Sequence, residues 1–187
     1  MSDHIVSALR RSNRVIGLAC GLLLLATGGL ILVEILLRQT PFGALGGSDE
    51  YAGYAMAAIA TWGFSYALVE RAHIRIDLLQ RQLLPAGRAA LDLLSLLLLA
   101  GTTWVVTFYS WTVLAKTLER GSRANTPLET PLWIPQALWF GGWVWFTLSA
   151  TLLFLVVAGL VLRRRLDKAE ALVGCEQGAG AEEGCEP

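Results

Sequence analysis

Four long apolar stretches, separated by short polar segments, dominate the pattern along the chain. Stretches without a charged residue run over 15–33, 51–69, 93–115 and 130–162. A helix needs about 20 apolar residues to cross about 30 Å of hydrocarbon, and these leucine-rich stretches lack the alternation of a barrel strand. The pattern therefore predicts an all-α integral membrane protein with four transmembrane helices, over about residues 15–37, 51–70, 89–114 and 135–162.

The segments outside this predicted membrane domain, residues 15–162, are too short to bury a hydrophobic core of their own. Residues 1–14 form a predicted cytoplasmic N-terminus, and residues 163–187 form a tail that is first basic and then acidic and Gly-rich. That composition predicts disorder for the tail. The first apolar stretch is longer than a signal peptide's and lacks a small-residue cleavage site after it, so we expect it to stay in the mature protein.

The distribution of lysine and arginine predicts the orientation, because cytoplasmic connections carry the excess of these residues. Eleven of the fifteen lie on the side that holds both termini and the connection between the second and third helices. The other side holds Arg38, Lys116, Arg120 and Arg123. We therefore expect both termini, and the connection between the second and third helices, to lie in the cytoplasm.

That connection, ERAHIRIDLLQRQLL at residues 70–84, concentrates charge between two apolar spans. On a helix, Ala72, Ile76, Leu79 and Leu83 would share one narrow stripe while the arginines spread over other faces. This predicts an amphipathic helix that lies in the membrane interface, with its arginines toward lipid headgroups. Two further apolar side chains fall opposite the stripe, so either the first residues are extended or a partner covers the second face.

Composition and motifs argue against catalysis. The chain is 55% hydrophobic and 16% charged, has zero net charge, and has two histidines, His4 and His73, in unrelated segments. None of the spans carries a histidine, which excludes a bis-histidine haem, and the three cysteines form no metal-binding motif. There is no phosphate-binding loop, and the basic residues follow topology rather than forming a nucleic-acid patch. We therefore predict no enzyme activity, no catalytic residue, no metal and no cofactor.

A transport role remains, either as a subunit or as an autonomous protein. Glu34 lies near the end of the first span with Arg38 one turn beyond, which predicts an interfacial ion pair. The midplanes of all four predicted spans lack an ionisable side chain, so an accessory subunit is better supported than independent transport. The alternative is a small proton-coupled exporter acting as a homo-oligomer, in which Glu34 would have to be essential.

Two stretches resemble the small transmembrane subunit of tripartite ATP-independent periplasmic (TRAP) transporters. They are SDEYAGYAMAAIATWGFSYALVERAHIRIDLL and TPLETPLWIPQALWFGG. Glu50 matches the acidic residue that opens the family's second span. The family's stretch after that span is matched by Arg71, His73, Ile74, Arg75, Ile76, Asp77 and Leu78, and its start of the fourth span by Pro131, Trp133 and Pro135. The resemblance covers about residues 15–162; the long acidic tail and the tryptophan density of the fourth span depart from it.

The resemblance implies two protein partners in a bacterial or archaeal cytoplasmic (inner) membrane. One is a large multi-helix transmembrane subunit that carries the substrate and sodium sites, and the other is a periplasmic solute-binding protein. The implied function is sodium-coupled, ATP-independent uptake of organic acids such as dicarboxylates. The small subunit would hold the scaffold part of the large one in the membrane.

The residues that we expect at these contacts fall into two groups. Candidates for the subunit or lipid interface are Glu50, Arg71, His73, Arg75, Asp77, Arg81, Trp139 and Trp143. Candidates for contact with the binding protein are Glu119, Arg120 and Arg123, which combine charge with a proline-stiffened segment on the predicted outer side.

Overall fold

The computed structural model consists of four α-helices, and the residues described are 2–41, 43, 46–70, 85–126 and 128–163. The helices are α1, Ser2–Arg38; α2, Ser48–Val69; α3, Pro85–Arg120; and α4, Trp133–Leu162. Each is long and apolar enough to cross a membrane. The predicted all-α architecture with four membrane-spanning helices is therefore confirmed. The predicted interfacial helix falls mainly on residues 71–84, which lie outside the described residues, and the orientation of the termini stays a prediction.

Helices α1 and α3 extend well beyond the predicted spans, since α1 begins at Ser2 and α3 covers Pro85–Arg120. Hydropathy identifies only the apolar part of a helix, which can lie in the hydrocarbon layer. The helical backbone hydrogen bonds continue into the charged residues on either side, so the helices are longer than the apolar stretches. Glycines with positive φ mark two boundaries: Gly47, with φ of 83°, precedes α2, and Gly121, with φ of 58°, follows α3. Pro135 lies in the first turn of α4, as its missing N–H predicts.

The helices pack in the order α1, α2, α4, α3, so that α2 and α4 are the central pair. One apolar core joins α2, α3 and α4. Its buried members are Leu68, Leu96, Ala100, Phe146, Ala150, Leu153, Val157 and Leu160. Next to this core, Gly142 of α4 lies directly against Thr61 of α2, where a Cβ would come within 2.6 Å of the threonine Cβ. The glycine therefore sets how closely α2 and α4 approach.

Helix α1 packs along a seam with polar residues at every seventh position. These are Asn13, Cys20, Thr27 and Glu34, of which all but the half-buried Cys20 are buried. The seven-residue spacing keeps one face on the neighbouring helix, as in a left-handed coiled coil. The Asn13 Nδ2 donates to the Leu9 carbonyl at 3.0 Å and the Thr27 hydroxyl to the Leu23 carbonyl at 2.7 Å, so α1 itself satisfies these donors.

Candidate partner-contact site

Five of the predicted interface residues lie outside the part of the chain that the structure describes. They are Arg71, His73, Arg75, Asp77 and Arg81. The described flanks of this segment are Glu70, an exposed residue whose N–H donates to the Tyr66 carbonyl at the end of α2, and Pro85, the first residue of α3. The predicted roles of the five residues therefore stay predictions.

Glu50 binds the loop between α3 and α4. Its half-buried carboxylate accepts a hydrogen bond from the Tyr54 hydroxyl at 2.6 Å, one turn further along α2. The other carboxylate oxygen accepts a short hydrogen bond from the hydroxyl of Thr126, which lies in the α3–α4 loop. The N-cap position of α2 is Gly47, without a side-chain cap. Glu50 thus connects the first turn of α2 to a segment 76 residues away in the sequence.

The α3–α4 loop, defined here as residues 121–126 and 128–132, is folded back on itself. The Ala124 N–H donates to the Thr130 carbonyl at 2.9 Å, and the Leu132 N–H to the Ser122 carbonyl at 3.1 Å. An antiparallel bridge pairs Arg123 with Pro131. These cross-links hold both ends of the loop together, as in a very short hairpin.

A second contact joins the loop to the turn before α2. The Leu128 side chain covers Gly47, where a Cβ would lie 2.8 Å from the leucine Cγ. Because Gly47 also has φ of 83°, two independent requirements favour glycine at this position. The loop is therefore attached to α2 and its preceding turn through an apolar contact at Leu128 and a polar one at Thr126.

The three predicted binding-protein contacts are exposed and close in sequence. Glu119 and Arg120 occupy the last turn of α3, and Arg123 follows in the loop, 4.0 Å from the Glu129 carboxylate. At the carboxyl-terminal end of α1, the Arg38 Nε lies 3.0 Å from the buried Glu34 carboxylate, and a second Arg38 nitrogen lies 4.0 Å from Asp49. The predicted Glu34–Arg38 ion pair is confirmed. Both signs of charge therefore border this end of the molecule.

Trp139 and Trp143, predicted at an interface, belong to an aromatic cluster within the chain. Their rings are 6.4 Å apart and nearly perpendicular, and the Trp143 ring lies 5.9 Å from Phe64 and 6.1 Å from Phe146. Both tryptophans are half-buried. Trp143 therefore packs α4 against Phe64 of α2, whereas the ring of Trp139 packs on Trp143 within α4.

Two interhelical hydrogen bonds involve residues that the sequence does not single out for this role. The Trp145 Nε1 of α4 donates to the Asn13 Oδ1 of α1 at 3.1 Å, and the Trp62 Nε1 of α2 donates to the Leu138 carbonyl at 3.0 Å. Asn13 is completely buried, although it falls in the segment predicted to precede the membrane. The polar seven-residue spacing along α1 is the signal that would have found it.

Helices α3 and α4 are joined by hydroxyl contacts. The hydroxyl oxygens of Thr107 and Thr147 lie 2.8 Å apart, and the Trp104 Nε1 donates to the Thr151 hydroxyl at 3.2 Å. Within the described ranges, no group of three or more His, Cys, Asp or Glu side chains could hold a metal ion. The described polar contacts thus connect helices to each other and to the loop.

This architecture defines a class: a small multi-pass membrane protein whose polar contacts hold its own helices together. A family model narrows the class. Residues 27–165 match the family described as "Tripartite ATP-independent periplasmic transporters, DctQ component". This match spans most of the chain, and the protein belongs to that family, which supplies the small component of TRAP transporters. No curated protein and no solved structure matches the chain.

Family membership confirms the resemblance seen in the sequence. It makes the protein a component of a transporter rather than a member of an enzyme family, and a multi-pass membrane protein by its four apolar helices. The family's description as tripartite implies that it works with a large membrane subunit and a binding protein.

Proposed function

We propose that this chain is the scaffold subunit of a sodium-coupled, ATP-independent importer of organic acids such as dicarboxylates. The observation that carries the proposal is the distribution of charge: residues 51–69, 93–115 and 130–162 have none, and Glu34 of α1 is paired with Arg38. Ionisable side chains inside the membrane mark substrate and ion pathways in transporters, and broken helices mark substrate sites at the bilayer centre. Those features therefore belong to the large subunit, and this chain supports it.

The large subunit or lipid covers the open apolar faces of the helices. On α1 the leucines outside the seam are strongly exposed, with 68% for Leu22 and 74% for Leu25. Glu50 and the aromatic pair Trp139 and Trp143 belong to the same proposed set of interface residues. On the predicted cytoplasmic side, Arg71, His73, Arg75, Asp77 and Arg81 fix the joint to headgroups or to the large subunit.

Two substitutions test the cytoplasmic part of this interface. Arg75→Ala and Asp77→Ala should lower the yield of the assembled transporter or its uptake rate, because each removes a charged hydrogen-bonding group from the joint. Binding of substrate to the isolated binding protein is the control, and it should not change. Wild-type complex yield and uptake in both variants would contradict this assignment.

The predicted outer side carries the proposed contact with the periplasmic binding protein. With both termini in the cytoplasm, the end of α3 and the α3–α4 loop face the periplasm of a bacterial or archaeal inner membrane. Glu119, Arg120 and Arg123 are exposed there and offer charge to a soluble partner. Arg120→Glu with Arg123→Glu should raise the binding-protein concentration needed for half-maximal uptake; unchanged kinetics would contradict the contact.

The deciding experiment is extraction of the tagged protein from its native membrane in mild detergent, followed by measurement of the mass and composition of what accompanies it. A stoichiometric complex with one much larger hydrophobic protein is the expected result. A lone species or homo-oligomer that moves substrate in liposomes would refute the scaffold proposal and favour the proton-coupled exporter.

A further inference from the structure

We infer that Glu50 is a positioning residue that holds the α3–α4 loop in the conformation needed to contact the binding protein. This inference rests on the proposed docking function of the loop. It concerns residues that make no contact with the partner themselves, in contrast to the exposed charges at Glu119, Arg120 and Arg123.

The attachment is a charge-assisted hydrogen bond. The Glu50 carboxylate accepts from both Tyr54 and Thr126: the Tyr54 hydroxyl donates to one carboxylate oxygen and the Thr126 hydroxyl donates to the other. Hydrogen bonds to an ionised acceptor are about twice as strong as neutral ones. Glu50 and Thr126 are both partly exposed, and Glu50 is held by two donors at once. This contact is therefore suited to fix a loop in place.

Glu50 itself is fixed in the first turn of α2. Glu50 and Tyr54 are one turn apart on α2, and the Glu50 N–H itself donates to the Gly47 carbonyl at 3.1 Å. Gly47 is in turn covered by Leu128 of the loop. The polar contact at Thr126 and the apolar contact at Leu128 thus both lie just before Glu129, where φ is 45°.

The consequence concerns Arg123, whose position depends on the folded loop. Its backbone bridges to Pro131 and its side chain lies 4.0 Å from the Glu129 carboxylate. If the loop leaves α2, the arginine keeps its charge and loses its fixed place relative to Arg120 on α3. The charged surface would then no longer be preformed, and docking would have to order the loop. This entropic cost weakens binding without removing any contacting group.

The experiment uses the assembled transporter in right-side-out membrane vesicles, with trypsin cleavage after Arg120 or Arg123 as the measure of loop opening. Glu50→Ala and Thr126→Val should raise the cleavage rate by about two- to tenfold, the range for losing a typical hydrogen bond that water can partly replace. Thr126→Ser keeps the hydroxyl and should behave as wild type. Thr102→Val makes the same chemical change on α3, where the hydroxyl donates to the Leu98 carbonyl, and should change nothing.

The second measurement is uptake as a function of binding-protein concentration. Glu50→Ala and Thr126→Val should both raise the half-saturating concentration, and Thr126→Val, which lies outside the proposed subunit interface, should leave the maximal rate and the yield of the complex unchanged. Unchanged cleavage in both variants would overturn the inference, and so would faster cleavage with unaltered uptake. If Arg120→Glu with Arg123→Glu also leaves uptake unaltered, the proposed docking function itself fails; if that charge reversal changes uptake, only the role of Glu50 fails.

Discussion

The contact between Asn13 and Trp145 offers a direct test of how α1 is held. Trp145→Phe removes the indole N–H that donates to the Asn13 Oδ1 at 3.1 Å and leaves a buried oxygen without that donor. The net value of an interhelical hydrogen bond in a membrane protein averages about 0.6 kcal/mol and reaches about 1.7 kcal/mol. The single substitution costs more than this net value, because it leaves the buried Asn13 oxygen without its indole donor. The expected loss of stability is the cost of an unsatisfied buried polar atom, about 1–3 kcal/mol.

A double-mutant cycle separates the hydrogen bond from general packing. Asn13→Leu replaces the amide by an apolar group of similar size, and in combination with Trp145→Phe it removes both partners. The double variant should be less destabilised than the sum of the two single variants, with a coupling free energy of about 1 kcal/mol. Unfolding of the purified protein in mixed micelles, followed by circular dichroism, measures each free energy.

Trp104→Phe is the matched control, because its indole donates to Thr151 in a different helix pair. Its effect should add to that of Asn13→Leu within about 0.5 kcal/mol. Strict additivity between Asn13→Leu and Trp145→Phe would refute the reasoning. It would mean that the amino-terminal part of α1 is held by packing alone.

Two further predictions concern single positions in the helices. Gly142→Ala should destabilise the protein by about 1–3 kcal/mol, because the new methyl group overlaps Thr61, whereas Gly63→Ala, where a Cβ meets open space, should change thermal stability little. Glu34→Gln should leave uptake nearly unchanged, since the carboxamide oxygen still accepts from the Arg38 Nε; loss of uptake with normal assembly would favour the proton-coupled exporter instead.

The sequence was sufficient for the features that depend on local chemistry. Four apolar stretches longer than about 18 residues predict four membrane helices. In lipid, the backbone N–H and C=O groups of a spanning segment can only bond to each other, and a helix satisfies them all. The Glu34–Arg38 pair and the place of Pro135 in the first turn of α4 follow from spacing along a single helix. The backbone hydrogen bonds and the ion pair behind these features join residues four or fewer apart.

The features that the sequence left open depend on which helix meets which. Glu50 and Thr126 are 76 residues apart, and Asn13 and Trp145 are 132 apart. The seven-residue spacing marks the packed face of α1, but no periodicity in a single sequence identifies Trp145 or Thr126 as the partner. The intramolecular role of Glu50 therefore became visible only in the fold, in which its carboxylate binds the α3–α4 loop.

The helix contacts also show why apolar residues were poor guides to the packing of α1. In a membrane, burying a leucine against protein gains little over leaving it in lipid, so association depends on close approach and polar contacts. Accordingly Leu22 and Leu25 of α1 are exposed, while Asn13, Thr27 and Glu34 line its packed seam. The exposed leucines are free to meet lipid or the large subunit. In a helix of this kind, the polar and small residues indicate which face packs within the chain.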